Sequence, residues 1–180
     1  MESKLFTPAK IGPVELKNRV IRASAYEGMC DGHVPTPQLK EYHTALAKGG
    51  VGMTGVAYAS VCKSGLSFHR QLWMRDEIIP GLRDLTDSIH TNGAKACIQL
   101  GHCGNMSHRR YCGQRPVGAS GGVNLYSPTF VHGLRKDEIE QIVKDFGNAV
   151  RIAKEGGFDA VEIHAGHGYL ISQFLSPYTN

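Results

Sequence analysis

The chain has 180 residues, of which 41% are hydrophobic and 20% are charged, and its net charge is +4. This balance excludes a disordered chain and suits a globular protein that can bury a sizeable core. The five cysteines form no C-x-x-C pair, which argues against a disulfide framework and against a structural zinc site.

In chain order, residues 5–16 come first and predict a small hairpin that covers one end of a sheet. Short apolar runs then predict four buried strands, at 20–25, 51–61, 95–100 and 160–164. Helical periodicity predicts three helices between these strands, from Thr36 to Gly49, at 79–90 and at 136–155. No helix is predicted after the fourth strand.

Two of these segments carry further expectations. In the helix at 136–155, the buried apolar stripe is expected to comprise Ile139, Ile142 or Val143, Phe146, Val150 and Ala153. The stretch 101–134 is too long and too irregular for a plain connection. Loops of this length in compact domains are usually functional.

Strands that alternate with helices build parallel sheets through right-handed crossovers. A doubly wound fold is the rival, but no G-x-G-x-x-G links a strand to a helix and no G-x-x-x-x-G-K-[ST] occurs. Polar residues instead gather just past the strand ends, where (β/α)8 barrels build their active sites. The pattern predicts an α/β fold: the N-terminal half of a (β/α)8 TIM barrel, with about four βα units after a short β-hairpin.

The strongest chemical cluster follows the fourth strand, where His164, His167 and Tyr169 stand within six positions. Two adjacent imidazoles can donate hydrogen bonds to an oxygen that gains negative charge, and a nearby phenol can deliver a proton. A structural role for these side chains is the plain alternative. Zinc is another, with His102 or Cys103 as a third ligand.

A second candidate site lies at the ends of the first three strands. Gln99 carries both a carbonyl and an amide donor, which suits the edge of a heterocycle. Five further residues are small or aromatic and either line the surface beneath an aromatic cofactor or simply pack tightly: Ala23, Ser24, Ala25, Tyr26 and Ala57.

The sequence VEIHAGHGYL at 161–170, followed by QFLSP at 173–177, resembles the signature of the old yellow enzyme family of NAD(P)H:flavin oxidoreductases. That family includes the N-terminal barrel of 2,4-dienoyl-CoA reductases. Shorter matches are LFTP at 5–8, LKNR at 16–19, GGVG at 49–52, QLGH at 99–102 and GGFD at 156–159. The resemblance covers the whole chain in order.

The resemblance implies an FMN-binding barrel that reduces an activated alkene, an enone or enoyl small molecule, with NAD(P)H as the reductant. It implies that His164 and His167 hold the substrate carbonyl oxygen and that Tyr169 protonates the α-carbon. Gln99 would hydrogen-bond the flavin pyrimidine. Packing beside the isoalloxazine is implied for Ala23, Ser24, Ala25, Tyr26 and Ala57. The chain departs from the family at Ala23-Ser24-Ala25, where Ala-Pro-Met is frequent, and at Tyr26, where threonine or cysteine is frequent.

We interpret residues 1–180 as the N-terminal half of the FMN-binding barrel, with the C-terminal half absent. The implied phosphate site lies in that half, so we expect the 180-residue chain to be weakly active or inactive. Two alternatives stay open: an inactive half-barrel remnant that self-associates into a homo-oligomer, and a metal-dependent hydrolase that uses His164 and His167. We expect no nucleic-acid partner, no membrane partner and a cytoplasmic location.

Overall fold

The computed structural model describes residues 3–125 and 128–180. Its strands are β1 (Ala9–Ile11), β2 (Val14–Leu16), β3 (Ile21–Arg22), β4 (Met53–Ser60), β5 (Lys95–Gly101), β6 (Val117–Gly118), β7 (Gly122–Asn124), β8 (Thr129–Gly133) and β9 (Ala160–Ile163). Its helices are α1 (Pro37–Lys48), α2 (Ile79–Thr91), α3 (Arg109–Cys112), α4 (Lys136–Glu155) and α5 (Leu170–Leu175).

The central sheet is wholly parallel and has the strand order β3-β4-β5-β9. The helices α1, α2 and α4 connect these strands in turn, as the alternating pattern predicts. Strands that are neighbours in the sheet also belong to consecutive βα units. Each new strand is therefore added on the same side of the one before it. This is the arrangement of the predicted half-barrel, and the four expected strands and three expected helices are confirmed.

The main core lies between this sheet and the three long helices. From β5 it receives Ile98 and Leu100, and from α2 it receives Leu82, Leu85 and Ile89, all five of them essentially inaccessible to solvent. Burying a large aliphatic side chain contributes about 1.5–3 kcal/mol, so this layer is the main source of stability. The residues that alternate with Ile98 and Leu100 point to the opposite face, which carries the candidate site.

Local sequence signals explain where the first helix begins and ends. The Thr36 hydroxyl accepts a hydrogen bond from the Leu39 N–H at 3.2 Å, and Pro37 occupies the first helical position. The helix ends at Gly49, and Gly50 has a φ of 96°, a conformation that favours glycine.

The predicted stripe of α4 is only partly buried. Ala149, Ile152 and Ala153 are inaccessible, whereas Val143 is 66% and Val150 36% exposed. Of the two alternatives Ile142 and Val143, Ile142 is the half-buried one, and the expectation was wrong for Val150. The first half of this stripe lines an open groove with Ile163 of β9 and Phe174 of α5, so one side of Val143 stays uncovered.

The hairpin β1–β2 covers the amino end of the sheet, as expected. Leu16 of the hairpin forms a small buried cluster with Met53 at the start of β4 and Cys97 of β5. Val14 and Ala160 pack against this cluster. The opposite, carboxyl end of the sheet stays free for a site.

The stretch 101–134 is more regular than the sequence indicates. It contains α3 and a three-stranded sheet of order β6-β8-β7, in which β6 and β8 are parallel and β7 and β8 antiparallel. A short helix, α5, also follows β9, where none was predicted. Six residues are too few to display a helical period. Across the described residues, no helix combines the length and apolarity needed to cross a bilayer.

Candidate active site

The candidate catalytic residues lie at the carboxyl end of the parallel sheet. The His164 N–H donates to the Leu100 carbonyl at 2.8 Å, which continues the β5–β9 ladder by one residue. The Leu170 N–H donates to the His102 carbonyl at 3.0 Å and so fixes the start of α5. The segment between His164 and Leu170 is therefore held at both ends.

His164, His167 and Tyr169 form one cluster. The His164 Nε2 and His167 Nδ1 atoms are 3.0 Å apart, and the two rings meet nearly edge to face at 88°. The centre of the Tyr169 ring is 4.8 Å from that of His164 and 6.1 Å from that of His167. The structure thus brings together the three side chains predicted to carry the chemistry.

The hydrogen bonds define how the two imidazoles act. The Gly166 N–H donates to His164 Nδ1 at 3.3 Å, so in the neutral ring the proton is on Nε2. That Nε2–H then donates to His167 Nδ1. The proton of His167 is consequently on Nε2, on an exposed side chain, where it can meet a ligand.

The backbone of this turn requires left-handed conformations. His167 has a φ of 57° and Gly168 a φ of 66°. A non-glycine residue in this region costs on the order of 1–2 kcal/mol. The side chain of Gln173, 2% exposed, holds the turn by donating to the Gly168 carbonyl at 2.7 Å. Such strain at a ligand-facing residue is frequent in active sites.

Burial determines which side chains of the cluster are charged at neutral pH. Burial lowers the pKa of His164, and the adjacent His167 lowers it further. Burial raises the pKa of the Tyr169 phenol. At neutral pH, His164 is therefore an uncharged hydrogen-bond donor, and Tyr169 retains a proton that it can deliver.

Gln99 and Ser24 meet at Glu162, a residue for which the sequence predicts no role. Gln99 Nε2 donates to Glu162 Oε1 at 3.0 Å, and Ser24 Oγ donates to Glu162 Oε2 at 2.7 Å. Gln99 and Glu162 are register partners on β5 and β9. Glu162 lies two residues before His164, so it shares the face of the sheet that carries the candidate site.

The remaining predicted cofactor residues differ in their surroundings. Ala23 and Ala25 are exposed, and Ala57 is 7% exposed. Tyr26 is 42% exposed and stacks on Phe68 with ring centres 4.3 Å apart. Tyr26 thus lies at the rim, against the loop that follows β4, while the alanines lie nearer the sheet.

A buried ion-pair network fixes the segment that follows β3. The Glu27 carboxylate accepts from Arg22 Nη1 at 2.6 Å and from the Ala57 N–H at 3.2 Å. His43 Nε2 is 3.3 Å from the same carboxylate, and His43 Nδ1 is 2.7 Å from Thr54 Oγ1. The sequence offered no signal for this network beyond the polar residue types, because its members come from β3, α1 and β4.

The zinc alternative lacks a third ligand. Within residues 3–125 and 128–180, no group of three His, Cys, Asp or Glu side chains is arranged to hold a metal ion. The His102 imidazole is 1% exposed and bonds to Ser64 Oγ and the Gly104 N–H, both at 3.0 Å. Cys103 is fully buried and its thiol donates to the Leu66 carbonyl at 3.4 Å. Neither side chain is turned toward His164 and His167.

The hydrogen-bonding groups on the face of the sheet that carries Gln99 suit a planar heterocycle. Gln99 is half-buried and its carboxamide can both donate and accept, which matches a ring edge with adjacent polar atoms. The small side chains of Ala23, Ala25 and Ala57 leave room for a flat ring beside it. The residues present therefore fit the ring portion of FMN, for which Gln99 would be the polar contact.

Comparison with known proteins agrees with this geometry. The sequence profile of the NADH:flavin oxidoreductase / NADH oxidase family matches residues 4–180. The 4,4'-dithiodibutanoate disulfide reductase of Rhodococcus erythropolis is 36% identical over 176 residues, which are 98% of this chain and 44% of that protein. The NADPH dehydrogenase of Listeria welshimeri is 38% identical over 187 residues, 99% of this chain and 53% of that protein.

The solved structure of the old yellow enzyme homologue from Zymomonas mobilis superimposes with a TM-score of 0.90 at 30% identity. The match covers 99% of this chain and 53% of that one. The chain thus spans about half the length of these relatives, and its sheet corresponds to half of their TIM barrel. The chain belongs to the NADH:flavin oxidoreductase / NADH oxidase family of old yellow enzyme type, whose members use FMN and NAD(P)H.

Proposed function

We propose that this chain provides the substrate-binding and proton-donating side chains of an FMN-dependent reductase of activated alkenes. The observation that carries the proposal is the cluster of His164, His167 and Tyr169 at the carboxyl end of the sheet. It combines an exposed N–H donor, a neutral supporting imidazole and a protonated phenol within about one substrate's width. Enones and enoyl compounds need such a set.

The histidine pair binds the substrate carbonyl oxygen. His167 donates its Nε2–H to that oxygen and thereby stabilises the negative charge that develops as the alkene is reduced. The hydrogen bond from His164 to His167 Nδ1 polarises the His167 ring and strengthens its outward donor. A direct bond from His164 to the substrate requires that the two rings separate.

Tyr169 supplies the proton. Its raised pKa keeps the phenol protonated at neutral pH, and its ring packs on His164 beside the carbonyl site. The proton leaves the phenol oxygen for the substrate α-carbon, and the phenolate that remains is reprotonated from solvent. FMN, when bound against the Gln99 face, supplies the hydride that it obtains from NAD(P)H.

The test separates the two half-reactions in the full-length protein. Tyr169→Phe should slow alkene reduction by about 10²–10⁴-fold, the usual contribution of general acid catalysis, and leave flavin reduction by NADPH unchanged. Stopped-flow absorbance of the bound flavin measures both rates with an enone as oxidant. Tyr42→Phe is the matched control, because Tyr42 lies on α1 and its ring neighbours are Arg22 and His43 rather than the cluster.

Equal loss of both half-reactions in Tyr169→Phe would show that Tyr169 only shapes the pocket. A wild-type protein that reduces flavin with NADPH but passes no electrons to any enone would overturn the alkene reductase proposal.

A further inference from the structure

Tyr58 of β4 lies directly behind the proposed proton donor. Its ring centre is 5.4 Å from that of Tyr169 and 5.6 Å from that of His164. The side chain is 3% exposed. Tyr58 therefore touches two of the three site residues while it is shielded from water itself.

The absence of a side chain at Gly101 makes this position possible. A Cβ at Gly101 would lie 2.9 Å from Tyr58 Cδ2, closer than Cβ atoms approach in folded proteins, and 3.2 Å from His164 Cβ, which is a tight contact. The glycine at the end of β5 thus lets the Tyr58 ring approach the site.

The Tyr58 hydroxyl belongs to a buried polar group. It is 2.5 Å from Ser67 Oγ, and Ser67 is 7% exposed. Gln71 Oε1 accepts the Ser67 N–H at 2.9 Å and lies 3.4 Å from Ser67 Oγ. Gln71 itself is 1% exposed. A buried glutamine thus anchors the serine, and the serine anchors the tyrosine.

The Tyr169 ring packs against that of Tyr58 and so lies next to this hydroxyl pair. Burial raises the pKa of Tyr169, and hydrogen bonding with Ser67 and Tyr58 opposes that rise. The other titratable groups against Tyr169 are His164 and His167 on its own segment and Cys103 after β5. None of these five neighbours carries a fixed charge, so hydroxyl donors are the means by which this pocket can stabilise a phenolate.

We propose that Tyr58 and Ser67 are positioning residues whose paired hydroxyls donate one hydrogen bond to the Tyr169 phenolate after proton transfer. One of the two hydroxyl protons joins Tyr58 to Ser67, and the other is available to the phenolate. The inference rests on the proposed role of Tyr169 as the proton donor. Tyr58 and Ser67 keep their own protons throughout. They act by lowering the free energy of the ionised form of Tyr169, which a purely apolar pocket would penalise.

The ionisation of Tyr169 can be measured without any turnover. In the full-length protein, Tyr169 is replaced by 3,5-difluorotyrosine, whose phenol ionises near neutral pH, and its titration is followed by ¹⁹F NMR. Tyr58→Phe and Ser67→Ala should each raise this pKa by about one unit, since each removes either the hydroxyl that donates to the ion or the hydroxyl that orients the donor. Ser67→Thr, which keeps the hydroxyl, should keep the wild-type pKa, and Tyr42→Phe should leave the pKa unchanged.

The same variants, with native Tyr169, should slow alkene reduction about tenfold each and spare flavin reduction by NADPH. An unshifted Tyr169 pKa in both Tyr58→Phe and Ser67→Ala overturns the inference, whatever reaction the protein catalyses. Equal slowing of both half-reactions, without rescue by Ser67→Thr, also overturns it. If the pKa of Tyr169 shifts as expected but the protein reduces no alkene, the role of Tyr58 and Ser67 is supported and the proposed function is rejected.

Discussion

His102 and His164 follow neighbouring strands at their carboxyl ends, yet their environments assign them different roles. His102 is 1% exposed, and both of its ring nitrogens are engaged within the protein. His164 lies beside an exposed imidazole and a phenol. A histidine after a strand therefore indicates a site only when it lies against side chains that are open to a ligand, as His164 lies against the exposed His167.

The buried His102 should make stability depend on pH. The Gly104 N–H donates to His102 Nδ1, so the ring is neutral and donates from Nε2 to Ser64. Burial lowers the pKa of His102 to about 4, whereas an unfolded histidine titrates near 6.5. Between these values only the unfolded chain binds the proton, so stability falls as pH falls from about 6.5 to about 4.

This effect amounts to about 3 kcal/mol over the full window. Urea unfolding at pH 7 and pH 4.5 measures it, and His102→Gln removes the titrating group. The variant should be less stable at pH 7 but should lose less stability on acidification than the wild type. An identical loss in both proteins would contradict the assignment.

At the residue scale, the sequence predicted the cluster because its three members lie within six positions of one turn. Tyr58, Ser67 and Glu162 were missed for a physical reason. The Tyr58–Ser67 contact depends on the path of the loop after β4, and the role of Glu162 depends on its register opposite Gln99. Neither contact produces a periodic pattern in the neighbouring sequence.

At the element scale, helices with strong caps were predicted well. The predicted span 136–155 coincides with α4, and α1 begins after Thr36 and ends before Gly49, as expected. The strands β6, β7 and β8 were not predicted, because two to five residues in partly exposed surroundings show no alternation. Short elements of this kind are defined by their partners rather than by their own residues.

One carboxylate joins three elements at the amino end of the sheet. Asp159 Oδ2 accepts from His90 Nε2 at the end of α2 at 2.7 Å and from the Ala96 N–H of β5 at 2.8 Å. Asp159 Oδ1 accepts from Lys95 Nζ at 2.8 Å. Burial alone would raise the pKa of Asp159, but these three donors together lower it.

Asp159→Asn should destabilise the fold by about 2 kcal/mol at pH 7, because it weakens charge-assisted bonds in a largely buried place. A carboxyl group with a lowered pKa contributes stability above its unfolded pKa, near 4, and loses it as pH falls through the folded value. The difference between wild type and variant should therefore shrink in acid. Denaturant unfolding at pH 7 and pH 3 checks this, with the exposed Asp87→Asn as control. A difference that stays constant between pH 7 and pH 3 would reject this role of the Asp159 carboxylate.

At the scale of the whole molecule, the sheet has two edges, at β3 and β9. The β9 edge is apolar: Val161 is 38% and Ile163 47% exposed. Beside it, residues of α4 and α5 line a groove of about 310 Å³ that also includes Ile163. An apolar edge strand with unpaired backbone groups favours association.

The 180-residue chain, studied on its own, should therefore self-associate through this edge. Sedimentation velocity over a range of concentrations should show a monomer in exchange with larger species. Ile163→Lys should shift the distribution toward monomer, because a charge placed on an apolar edge cannot be buried without a large cost. Val123→Lys is the control, since Val123 is 57% exposed on the separate sheet of β6, β7 and β8. A monomer at every concentration, or equal effects of the two lysines, would show that the β9 edge does not drive association.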